Sequence, residues 1–106
     1  MSDIRKLRVG KQLLERQKRR DRVGIIASIL EFSKEGALKT QIMYRAGLSF
    51  SQINDYLIYL QDNGLIAPSV VEDKEGYIIT KKGAEFLKKH HELTKLLEVN
   101  ERIRKS

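Results

Sequence analysis

The side chains in this sequence best equipped for chemistry are its cations. Over 106 residues, 21 Lys and Arg stand against 14 Asp and Glu, a formal net charge of +7. Such a surplus on a short chain suits polyanions: DNA, RNA or an acidic membrane surface. The charge gathers at the two ends. Residues 1–20 carry eight basic and two acidic groups, and residues 80–106 carry eight basic and four acidic. Residues 49–64 contain no Lys or Arg at all. The first segment, with Arg16, Lys18, Arg19 and Arg20 at its end, reads as a basic arm that grips phosphates, or equally as a solvated terminus.

Other chemistries find little to work with. The sequence has no Cys, which excludes disulfide scaffolds, iron–sulfur clusters, cysteine nucleophiles and thiolate zinc sites. His90 and His91 are adjacent, whereas a helical metal pair needs i,i+4 spacing, so solvated histidines are expected. No Ser/His/Asp set, paired acid cluster or phosphate loop stands out, and we expect no metal, no cofactor and no enzyme activity. The longest apolar run, Val23 to Leu30, is far short of the ~20 residues a membrane span needs. Residues 1–20 are charged throughout, unlike a signal peptide. The expectation is a soluble intracellular protein, cytoplasmic, with no membrane partner.

The elements that must position these groups amount to one core. A chain of this size buries roughly two-thirds of its unfolded surface, enough for a single domain. Asp21 is a suitable N-cap, and Val23, Ile26, Ile29, Leu30 and Phe32 follow at mostly helical spacing up to Gly36. This predicts a first helix over 21–35. Thr40 is expected to cap a short second helix, 40–46, with Ile42 and Met43 inward and Gly47 ending it. Ser49 opens the third helix, and Gln52 three residues on completes a capping box. Phe50, Ile53, Leu57 and Leu60 are its expected buried face, Tyr56 flanks them, and Asn63-Gly64 closes it. Leu65-Ile66-Ala67 and Tyr77-Ile78-Ile79 read as the strands of a hairpin. Pro68 limits the first, Val70-Val71 resumes it, and Asp73-Lys74-Glu75-Gly76 forms the turn. Thr80 caps a last helix to about Arg104, with Gly83 a mild cost in its first turn.

Three helices, a hairpin and a final helix give the order of a winged helix-turn-helix: mainly α, with a small β-hairpin and an extended C-terminal helix. The run Ile42-Met43-Tyr44-Arg45-Ala46-Gly47-Leu48-Ser49-Phe50 resembles the signature stretch of a small archaeal winged-helix family. Tyr56-Leu57 with Leu60 and Gly64-Leu65-Ile66 is similar to it as well, as is Tyr77 with Ile79-Thr80 and Gly83-Ala84-Glu85-Phe86-Leu87. The likeness covers residues 21–97. That family includes archaeal chromatin-associated DNA-binding proteins, whose members typically dimerise through a long C-terminal helix in an antiparallel coiled coil. The resemblance implies double-stranded DNA as partner, a nucleoid-associated location in the cytoplasm, and a homodimer. The chain then divides into a basic arm (1–20), a winged-helix domain (21–87) and a C-terminal extension (88–106). The arm precedes the matched part, and the final helix is short for a long coiled coil.

In helix-turn-helix proteins the second helix of the motif enters the major groove. Here that is the helix capped by Ser49, with Ser51, Gln52, Asn54, Asp55 and Ile58 expected outward. Gln or Asn can pair with adenine, but the helix has no Arg for guanine, and Asp55 and Asp62 repel phosphates. The expectation is weak sequence discrimination, or discrimination led by a few residues near the helix's N-terminus. Lys39, Thr40 and Arg45 sit on or beside helix 2, where cations can grip flanking phosphates; Arg45 can instead pair with an acid in the bundle. Tyr44 either touches phosphate or fills the bundle. Lys81 and Lys82 can face phosphates near the wing, whose own Glu72, Asp73 and Glu75 suit that role poorly. Phe86, Leu93, Leu96 and Ile103 take four of six heptad seam positions, with Lys89 and Asn100 in the others and Leu97 alongside. They form a dimer seam, or Phe86 and Leu87 pack the helix back on its own bundle. The rival function is a protein–protein module on the same fold. RNA ranks lower, because the aromatics read mostly as core.

Overall fold

The structure is a computed structural model that describes residues 22–105, with side chains described for 22–97. Apolar residues three and four apart build its core. The first helix, α1, is helical throughout 22–32 and buries Ala27, Ile29 and Leu30. It ends in a turn over 33–35, three residues before its expected stop. There the buried Ser33 hydroxyl donates to the Ile29 carbonyl (2.7 Å), and the Ser33 carbonyl accepts from the Ile79 amide (3.0 Å). Val23, expected inward, is exposed, and Asp21, the expected N-cap, lies outside the described residues.

A short strand, β1 (Ala37–Leu38), leads directly into α2 (Lys39–Ala46). The N-cap of α2 is Leu38, not Thr40, and Lys39 is its first residue. Leu38 has no side-chain acceptor, so one half of the cap comes from Gln41, whose Oε1 accepts the Leu38 amide at 3.0 Å. Helix α3 (Phe50–Asp62) has the full reciprocal box: the Gln52 amide donates to Ser49 Oγ (3.2 Å), and the Ser49 amide donates to Gln52 Oε1 (2.9 Å). Ile42 of α2 and Ile53, Leu57 and Leu60 of α3 close over α1. Each fully buried aliphatic side chain contributes about 2 kcal/mol of burial.

Strands β2 (Ile66–Val71) and β3 (Lys74–Ile79) pair antiparallel, and β1 joins β3 from the other side, giving the order β1-β3-β2. The sheet is thus three-stranded rather than a lone hairpin. Strand β2 runs straight through Pro68, which an edge strand tolerates because the missing N–H can face away from the ladder. The turn spans 71–74, two residues earlier than the expected 73–76. Glu72 and Asp73, both at positive φ (53° and 63°), form a two-residue connection between paired Val71 and Lys74. Gly76 belongs to β3, where a Cβ would lie 2.7 Å from the Ala37 carbonyl oxygen and from Val71 Cγ2. It is a packing glycine, not a turn glycine.

Helix α4 (Lys81–Lys105) starts on the cap expected for it. Thr80 Oγ1 accepts the Gly83 amide at 3.0 Å and donates to the Gly64 carbonyl at 2.6 Å. Its first turn presses so closely on the chain between α3 and β2 that a Cβ on Gly83 would collide with the Leu65 carbonyl. Leu87 then enters the core, and Phe86 packs against its edge.

Candidate nucleic-acid interface

Helix α2 separates its two cations. With 3.6 residues per turn, Thr40 and Tyr44 lie opposite buried Ile42, and Tyr44 is 79% exposed. A bundle-filling role for Tyr44 is thereby corrected: its ring stands in solvent. Lys39 lies on the flank toward α3, where its Nζ sits 4.2 Å above the Phe50 ring centroid. Arg45 lies on the other flank, its guanidinium 5.9 Å from the centre of Phe32. There it lines a cleft with Glu31, Glu35, Gln41 and Glu72. Arg45 makes no ion pair within 4 Å among the described residues, but three carboxylates and one further cation, Lys34, line the cleft with it.

On α3, Ser51, Gln52, Asp55 and Ile58 are exposed, as expected, and Asn54 is half-buried. Two further residues stand out unexpectedly. Phe50 was expected in the core, but it is 63% exposed, and Tyr59 is exposed as well. Phe50 is the first residue of the helix and overhangs the bundle, so the spacing that joins it to Ile53, Leu57 and Leu60 does not bury it. Gln52 is accessible, but its carbonyl oxygen is engaged by the Ser49 amide, which limits its use as a two-point adenine contact. Ser49 Oγ is likewise committed to the cap. The leading edge of α3 with α2 therefore presents Lys39, Thr40, Tyr44, Phe50 and Ser51, while Asp55 and Asp62 lie farther along.

Lys81 and Lys82 belong to a different end of the molecule. Lys82 Nζ donates to the Asn63 carbonyl at 2.8 Å, capping the C-terminus of α3. Thirteen residues of helix, about 18 Å, separate that end from Phe50. On α4, Leu93, Leu96 and Leu97 are 58–63% exposed. The side chains of Asn100 and Ile103 lie outside the described residues, as do Arg16, Lys18, Arg19 and Arg20 of the arm. His91 Nε2 lies 3.6 Å from Glu31 Oε2, linking α4 to α1. The Lys34 hydrogen bond to Glu31, aided by the Lys34 charge and by His91, holds the Glu31 carboxyl below its ordinary value.

This geometry has known counterparts. Residues 19–98 match the winged helix-turn-helix family. The chain belongs to that family. Its wing is the β2–β3 hairpin, and α3 is the helix placed for the major groove in such folds. An uncharacterized protein of Methanocaldococcus jannaschii is 31% identical over 83 residues, covering 77% of this chain and 81% of its own. Sso10a-2, a DNA-binding protein from Sulfolobus solfataricus, matches with a TM-score of 0.65 at 25% identity, over 78% of this chain and 87% of that one. MepR of S. aureus, solved as a DNA complex, matches at a TM-score of 0.63 and 12% identity, over 92% of this chain and 89% of that one, a likeness of fold alone. Among the described residues of this winged-helix chain, no helix is long and apolar enough to cross a membrane.

Proposed function

We propose that this chain is a DNA-binding winged-helix protein, a transcriptional regulator or an architectural chromatin protein, that holds duplex DNA mainly through its phosphates with modest base readout. The observation that carries this reading is the exposed edge where Lys39, Thr40 and Tyr44 of α2 meet Phe50 and Ser51 of α3. The likeness to Sso10a-2 supports it. In this reading Ser49, Gln52 and Asn54 line the same end, while Arg16, Lys18, Arg19 and Arg20 add phosphate contacts from the arm. Arg45, Lys81 and Lys82 take secondary parts, since the cleft carboxylates offset the first and Lys82 already caps α3.

Charge reversal tests this arrangement. With folding checked by circular dichroism, Lys39→Glu should weaken duplex binding about tenfold and reduce the salt slope by about one. Arg45→Glu should change affinity less than Lys39→Glu. Unchanged affinity in Lys39→Glu contradicts the proposal.

The exposed Leu93, Leu96 and Leu97 support a second part of the reading, a homodimer in which α4 of another copy covers them, with Phe86 at the bundle end and Asn100 and Ile103 beyond. Replacing Leu93 and Leu96 by Lys should reduce the solution mass from twice to once the 12.3 kDa of the chain. A wild-type protein already at the single mass contradicts the dimer. A protein–protein module is the alternative function, favoured by Ile58 and Tyr59, which lie exposed on α3 beside Asp55 and Asp62. DNA-independent capture of an acidic-face partner, with no duplex affinity, is its signature.

A further inference from the structure

Phe50 is an anomaly for a surface. A phenylalanine side chain is among the residues most often buried, yet this one is 63% exposed at the first position of α3. Nor is it loosely held. The Ser49–Gln52 box fixes the backbone on which it stands, and the Lys39 ammonium rests 4.2 Å above its ring centroid. The ring is therefore aimed outward from a fixed start, with a cation beside it.

The groups around Phe50 narrow what it can read. No Lys or Arg occurs in α3, so the helix carries no guanine-reading cation. Gln52 has its carbonyl oxygen engaged by the Ser49 amide. Ser51 and Gln52 are exposed beside Phe50 and Asn54 is half-buried, so Phe50 is the one apolar side chain exposed at the leading end of α3. Only one apolar group is displayed by base edges in the major groove, the C5-methyl of thymine.

We propose that Phe50 seats against a thymine C5-methyl group and makes it the principal base feature this protein reads. The proposal rests on the reading that the start of α3 enters the major groove. It gives that otherwise phosphate-led binding a preference for thymine-bearing steps. Lys39, stacked on the ring, contacts the phosphate beside the same base.

The test compares a thymine-containing duplex with the same duplex in which deoxyuridine replaces thymine, removing the methyl and keeping every Watson–Crick hydrogen bond. Fluorescence anisotropy at fixed salt reads both affinities for the full chain and for Phe50→Ala. The wild type should bind the deoxyuridine duplex about fourfold more weakly per contacted thymine, the change expected for one methyl group. Phe50→Ala should bind both duplexes equally, and its exposed position leaves the core intact, which a thermal melt checks. Equal wild-type affinity for the two duplexes overturns the proposal while leaving duplex binding standing. A thymine preference that survives in Phe50→Ala overturns it too. No binding to either duplex overturns both this proposal and the reading beneath it.

Discussion

Replacing Gly83 by alanine should destabilise the protein by about 3 kcal/mol, the upper part of the range for inserting a methyl group where packing leaves no room. The sign is what makes the prediction informative. In an open helix, Gly→Ala raises stability by up to about 1 kcal/mol through helix propensity. Here the new Cβ would collide with the Leu65 carbonyl and lie 2.8 Å from Ile79 Cγ1. The Leu65 carbonyl cannot simply turn away, because it accepts the Thr80 amide at 3.1 Å, next to the cap of α4. Overpacking at this point separates α4 from the strand it abuts. Gly24, with nothing within 4 Å of its Cβ position, is the matched control and should show the propensity gain. Thermal or urea unfolding of the two variants measures the contrast, and equal effects contradict the close contact at Gly83.

Deleting residues 1–20 should weaken duplex binding by about a hundredfold at 50 mM salt and by much less at high salt. The segment holds eight basic and two acidic groups, more than half of the surplus that gives the chain its net charge of +7. If it supplies three of about six phosphate contacts, the slope of log K against log salt should fall from about −5 to about −3. An unaltered slope after deletion makes the arm a bystander. The phosphate contacts would then have to come from the folded domain, where α3 has no cation and the wing is acidic.

Much of the frame was legible because it is local. The Ser49–Gln52 box and the Thr80 cap depend on residues three apart, and both form. Ile53, Leu57 and Leu60 follow from helical spacing and are buried. What escaped depends on where one element stops against another. Periodicity assigns Phe50 to the buried face of α3 but cannot show that the helix begins beyond its neighbours. Strand β1 has two residues, too few for an alternating pattern, so the sequence does not show that α2 begins at Lys39 with Leu38 as its cap. A glycine beside acidic residues reads as a turn, whereas Gly76 is required by the closeness of β1 and β2, and the turn falls on Glu72 and Asp73.

For the candidate interface, the sequence places Thr40, Tyr44 and Arg45 on one short helix with Lys39 on or beside it, without indicating which flank meets which neighbour. A helix of eight residues has several faces, and only packing assigns Lys39 to Phe50 and Arg45 to Phe32 and the cleft acids. The same holds for Lys82. Its position near the start of α4 suggested phosphates, but the fold brings it against the last carbonyls of α3.

In the proposed function this chain binds duplex DNA chiefly by displacing counterions from phosphates. Affinity of the full-length protein for one duplex, measured from low to high salt, tests it most directly. Six phosphate contacts predict a straight line of log K against log salt with a slope near −5. A slope near zero, or no complex at low salt, contradicts phosphate-led binding.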